Sequence, residues 1–126
     1  MTSSCKNESF QKIPPSDLLY DNSSKVWIVK SDVVEGKNSA SINRANKYCY
    51  TFYRDQTVFV NKLIDFGKSR YQSGHFYFVN EGNSVLFKWK NNENIEFKIR
   101  EISADVLILE NENRTITLVP LDKPIP

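Results

Sequence analysis

The sequence predicts an all-β fold, an eight-stranded antiparallel up-and-down β-barrel. Three observations lead there. From Lys25 onward, apolar and polar residues alternate with a period of two. The last five apolar runs begin near residues 75, 85, 95, 105 and 115, joined by short polar links. No long amphipathic helix lies between any two runs. Regular spacing with short links is the signature of consecutive hairpins, and parallel pairing would need helical crossovers that this chain lacks. Eight strands in a row leave two exposed edges unless the sheet closes, and eight is the number whose interior just fits side chains or one small ligand.

Each element follows from its own residues. The segment 1–24 is polar, contains Pro14 and Pro15, and reads as a tether. Within it, Ser16 has the chemistry to cap a helical turn carrying Leu18, Leu19 and Tyr20, and such a turn would plug one end of the domain. The barrel domain is expected over 25–126. Its strands are "KVWIVK" (25–30), "KYCYTFY" (47–53), "TVFVNKLI" (57–64), "GHFYFV" (74–79), "SVLFKWK" (84–90), "NIEFKIREI" (94–102), "VLILE" (106–110) and "TITLVPL" (115–121). Glu81-Gly82-Asn83 and Asn91–Asn94 have turn chemistry. Pro120, Pro124 and Pro126 end the pairing. The two longer loops, 35–46 and 65–73, are too short for a substantial helix and would rim one mouth of the barrel.

The inward rows are bulky. Trp27, Tyr48, Tyr50, Phe52, Phe76, Phe87, Trp89 and Phe97 line them with Val29, Phe78, Val85, Ile95, Ile99, Ile116 and Leu118, and no Gly, Ala or Ser interrupts them. Rings of this size fill a barrel as core. They also suit an aromatic pocket at one mouth, where the hydroxyls of Tyr48 and Tyr50 would need partners. In strand 94–102, Glu96, Lys98 and Arg100 point to water. Strand 57–64 instead exposes either Phe59 or the Val58–Val60 pair. With Tyr53, His75 and Tyr77 nearby, this suits either an outer contact surface, to which Arg70 and Tyr71 on the second long loop can add, or cover by the domain's own tail.

Several chemistries are excluded. At 126 residues the chain holds one domain, and its 40% hydrophobic and 13% aromatic content is that of a folded protein. The net charge of +2 is scattered, with no Lys/Arg run to track phosphates, so no nucleic-acid partner is expected. A lone histidine and scattered carboxylates make no metal set. Cys49 and His75 are the one thiol–imidazole pair that could share a surface, without an elbow, an orienting group or an oxyanion loop. No enzyme and no cofactor are expected.

"VWIVKSDVV", "YCYTFYRDQTVFV", "GHFYFV" and "FKIREISADVLILE" together resemble the lipocalin-like domains of small bacterial lipoproteins of the Bacteroidetes type, over residues 25–120. Trp27 stands at the position of the family's first-strand Trp, with Lys25 where the family has Gly. The resemblance implies a late basic residue packed over that Trp, and Arg114 is the candidate. "TSSC" at 2–5 resembles a lipoprotein processing site, which makes Cys5 the lipidated residue and the following segment a tether. The resemblance therefore implies a non-enzymatic lipoprotein of the cell envelope, anchored in the outer membrane. It would bind a small hydrophobic or aromatic ligand at the barrel mouth. The alternative is an accessory lipoprotein of a secretion or motility assembly, with a filled barrel and an envelope protein as partner.

Overall fold

The computed structural model of the protein describes residues 15–68 and 71–121; Cys5 and Arg70 lie outside these. A short helix, α1 (Pro15–Tyr20), precedes eight barrel strands: β1 (Ser24–Val34), β2 (Tyr48–Tyr53), β3 (Thr57–Lys62), β4 (Gln72–Val79), β5 (Ser84–Trp89), β6 (Asn94–Ile102), β7 (Leu107–Glu110) and β8 (Arg114–Pro120). Each strand pairs antiparallel with the next, and β8 pairs with β1 from Arg114↔Val34 to Pro120↔Trp27, which closes the barrel. The expected topology is the one observed. β1 runs four residues beyond the expected strand, and Lys37–Asn38 pairs back onto its end. Residues 63 and 64 leave the ladder as part of a 3₁₀ turn, Leu63–Asp65. A second 3₁₀ turn spans Arg44–Asn46.

Local chemistry sets the hairpins. The β2–β3 turn is held by the Asp55 carboxylate, which accepts from the Thr57 backbone N–H (3.0 Å) and hydroxyl (2.6 Å). These bonds hold the Asp55 carboxyl below its ordinary range. Asn91 and Asn111 use their side-chain oxygens in the same way, accepting from Glu93 N–H and Asn113 N–H. The β4–β5 turn places Asn80, Glu81 and Gly82 at positive φ. In β6 the pairing register shifts between Ile99 and Glu101. One extra residue there turns Ile102 back toward the core after Arg100 and Glu101 have faced water.

All fifteen expected lining residues belong to the core or pack against it. Phe52 meets Phe76 edge-on at 5.1 Å and Phe87 stacks on Trp89 at 5.2 Å, so rings fill the barrel centre. Val58, Val60, Leu107 and Leu109 add to the core, and Phe59 is the large apolar β3 residue left facing out. One expectation is corrected. Gly74 lies in the same row as Phe76 and Phe78 and is buried, so the rows do contain a small residue. A Cβ there would lie 2.3 Å from the Lys88 carbonyl oxygen, because β4 and β5 approach too closely at this point for any side chain.

α1 closes one end. Leu19 is buried in the core, and its carbonyl accepts the Trp27 indole N–H at 2.9 Å. Tyr20 meets Phe76 at 6.1 Å. Ser16 lies inside the helix rather than ahead of it. No helix among the described residues is long and apolar enough to cross a membrane.

Candidate binding site at the barrel mouth

With α1 at one end, strand direction places both long loops at the other. β1 and β3 end there, and β2 and β4 begin there. This mouth holds a cavity of about 320 Å³. Its apolar lining is Val29, Val60 and Phe97, all buried, with the half-buried Ile95. Tyr48, Tyr50, Tyr71 and Trp89 form aromatic walls, and Asp32, Arg114, Gln72 and Glu93 supply polar groups. Tyr48 and Tyr71 meet at 5.0 Å on one side. Glu93, on the β5–β6 turn, is exposed and accepts from the Asn91 side-chain amide at 2.9 Å.

The polar centre sits on the closing seam. Arg114 opens β8 and Asp32 lies near the end of β1, one alternation away across the pairing. The guanidinium donates twice to the carboxylate, Nε to Oδ1 at 2.8 Å and Nη2 to Oδ2 at 2.7 Å. The Asp32 backbone is fixed as well: its N–H donates to Asn38 Oδ1, and its carbonyl accepts from Ser39 N–H and Oγ. The Arg114 guanidinium also lies beside the Tyr50 hydroxyl. Burial pushes the Tyr50 phenol above its ordinary range, and the neighbouring guanidinium opposes the shift. The Arg114 guanidinium is itself held above its ordinary value, chiefly by its hydrogen bonds to Asp32.

No family model matches this chain, and no curated protein matches it. Solved structures do. A lipocalin-like protein from Bacteroides uniformis superimposes with a TM-score of 0.57 at 15% identity, covering 75% of this chain and 94% of its own. A second protein from the same organism, solved by NMR, superimposes with a TM-score of 0.59 at 17% identity, covering 86% of this chain and 93% of its own. The fold is lipocalin-like. Trp27 is fully buried on the first strand, but the basic residue expected over it is not the one found there. Arg114 pairs six positions along β8 from the Trp27 partner Pro120, about 20 Å away. Lys25 takes the role instead, with its ammonium 4.3 Å from the Trp27 ring centroid and within 3.4 Å of the Leu18 and Ala104 carbonyls. Lys25 thus clamps the closed end, and Arg114, the candidate for that clamp, builds the mouth.

The outer-surface residues divide. Tyr53 and Phe59 pack edge-on at 5.5 Å on the outer face of β2 and β3. With Thr51, Asn61 and Phe66–Lys68 they line a second hollow of about 480 Å³. His75 and Tyr77 sit further round on β4, exposed, with Lys88 over the Tyr77 ring at 5.8 Å. Tyr71 belongs to the mouth. Cys49 and His75 do not come together: Cys49 pairs with Asn61 and His75 with Thr57, four residues apart along β3, about 13 Å. Cys49 is a free, fully buried thiol whose pKa is pushed up to about 11 by burial. Among the described residues, no three metal-ligating side chains cluster. The signal missed in the sequence is Asp32, which lies 82 residues from its partner Arg114.

Proposed function

We propose that this is a non-enzymatic binding protein of the bacterial cell envelope, which holds a small molecule with an apolar or aromatic body in the barrel mouth. One observation carries the reading: a cavity of about 320 Å³, lined by buried apolar and aromatic residues, with the polar trio Asp32, Arg114 and Tyr50 at its wall. That volume lies at the small end of ligand sites, which are concave and mostly apolar with a few fixed polar groups. Among the described residues, the one guanidinium in the cavity lining, that of Arg114, is engaged twice by Asp32. A ligand carboxylate would have to displace that pair, so the site favours an uncharged head group that hydrogen-bonds to Tyr50 or Gln72. The filled centre limits the ligand to the mouth. The alternative of an accessory subunit with a filled barrel gains from that filled centre, but leaves the mouth cavity without a use.

N-phenyl-1-naphthylamine, a neutral aromatic probe, tests the reading. Its fluorescence should rise saturably at one site per chain. Ile95→Trp, which fills the cavity from a half-buried lining position, should weaken the binding at least tenfold while the barrel still melts cooperatively. Unchanged affinity in that variant would rule out the mouth as the site. The envelope anchor belongs to the same proposal: in 0.5 M NaCl, which screens surface charge, Cys5→Ala should move the protein from the membrane fraction to the soluble fraction while the parent stays, and salt-resistant retention of the variant would remove the anchor.

A further inference from the structure

Six large hydrophobic side chains are exposed among the described residues, and five of them lie at the mouth end. Only Tyr77 is on the wall. Ile42 (98% exposed), Ile64 (57%), Phe66 (42%) and Tyr71 (67%) sit on the two long loops, and Val34 ends β1 beside them. The loops form one platform: their 3₁₀ turns pack together, and Leu63 N–H donates to the Lys47 carbonyl at 2.9 Å. Charge gathers on the same platform. Among the described residues, Lys37, Arg44, Lys47, Lys62 and Lys68 stand against Glu35 and Asp65, five cations to two carboxylates and a net of +3, whereas the whole chain carries +2. The short turns across the mouth have the opposite bias, with Lys90 against Glu93 and Glu112. Single apolar tips interleaved with cations differ from a protein interface core, which is a contiguous apolar patch depleted of charge. They suit the headgroup region of a bilayer, where apolar side chains insert and cations meet anionic lipid.

We infer that the long-loop side of the mouth docks on an anionic lipid surface. Ile42, Ile64 and Phe66 enter the headgroup layer and the flanking lysines contact lipid phosphates. The barrel tilts so that its acidic turns stay away from the surface. Tyr71 is both an exposed tip and a cavity wall, so a docked mouth opens beside the bilayer. The inference holds whatever the cavity binds, and it needs no acyl chain.

Vesicle co-sedimentation of the full 126-residue chain, produced without acylation, tests it. Vesicles of phosphatidylcholine and phosphatidylglycerol at 3:1 should bind the protein at least tenfold more tightly than pure phosphatidylcholine, and 0.5 M NaCl should release it. Each cation near an anionic leaflet is worth about fivefold in partitioning, so Lys37→Glu/Lys62→Glu/Lys68→Glu should lose at least a hundredfold. Ile42→Asp/Phe66→Asp should lose at least tenfold. All five positions are exposed, and unchanged melting curves would show that both variants fold. Equal binding to the two vesicle types, no binding to either, or variants that bind like the parent would each overturn the inference. A protein partner captured by this platform without any vesicle binding would do so as well.

Discussion

Cys49 shows how much one side chain's surroundings decide. It faces away from the barrel centre, yet is fully buried among Ile28, Thr51 and Asn61, which are buried as well. Burial keeps its thiol protonated to about 11, against an ordinary value of 9.0. Below pH 9 the thiol is neutral in both the folded and unfolded chains. As pH rises from 9 toward 11, the unfolded thiol ionises first, and stability falls by about 1.4 kcal/mol per pH unit from this group alone. Urea titrations of the parent and Cys49→Ala at pH 8 and pH 11 should therefore show the parent losing about 2–3 kcal/mol more than the variant. Parallel losses would mean that the thiol is not desolvated. Alternation did place Cys49 on the outer face, but its burial there depends on neighbours that the alternation does not identify.

Two elements carry geometry that substitution can test. β4 passes β5 so closely at Gly74 that an added Cβ would also lie 2.9 Å from the Trp89 Cα. Backbone atoms of a paired strand cannot swing aside as a side chain can. Gly74→Ala should cost about 3 kcal/mol or more in urea unfolding, and a loss under about 0.5 kcal/mol would show that the strands can part freely. α1 is too short to persist alone, and its hold on the barrel end comes from Leu19 in the core and the Trp27 indole bond. Leu19→Ala should cost about 2–4 kcal/mol and shift tryptophan emission to the red as water reaches Trp27. Unchanged emission and midpoint would mean that the helix rests on the barrel without sealing it. The sequence pointed to this turn through Leu18-Leu19-Tyr20, and β1 directly follows it, so the turn could reach only the end where β1 begins.

For the molecule as a whole, closure is the organising event. Only the β8–β1 seam links the two ends of the sheet, and Arg114–Asp32 binds its mouth end. A chain ending at Asn113 loses that seam and exposes the paired edges of β1 and β7. Such edges invite pairing with other chains. Size-exclusion chromatography should show the shortened protein as oligomers or aggregates, and a stable monomer would mean that seven strands can close without β8.

Period-two alternation and link length determined most of this protein's architecture: eight strands, their order, the inward rows and the end at which the long loops gather. These are local properties, because a side chain's face in a strand follows from its parity along the chain. Tertiary structure decided what parity leaves open. β3 has apolar residues on both faces, so closure alone chose Val58 and Val60 for the core and Phe59 for the outside. Arg114 could be assigned to Trp27 by resemblance, whereas the seam register carried it to Asp32 and Tyr50. The mouth cavity, and the apolar tips and cations gathered beside it, come from loops far apart in sequence. Their meeting depends on the barrel's closed circumference, which no single stretch of the chain encodes.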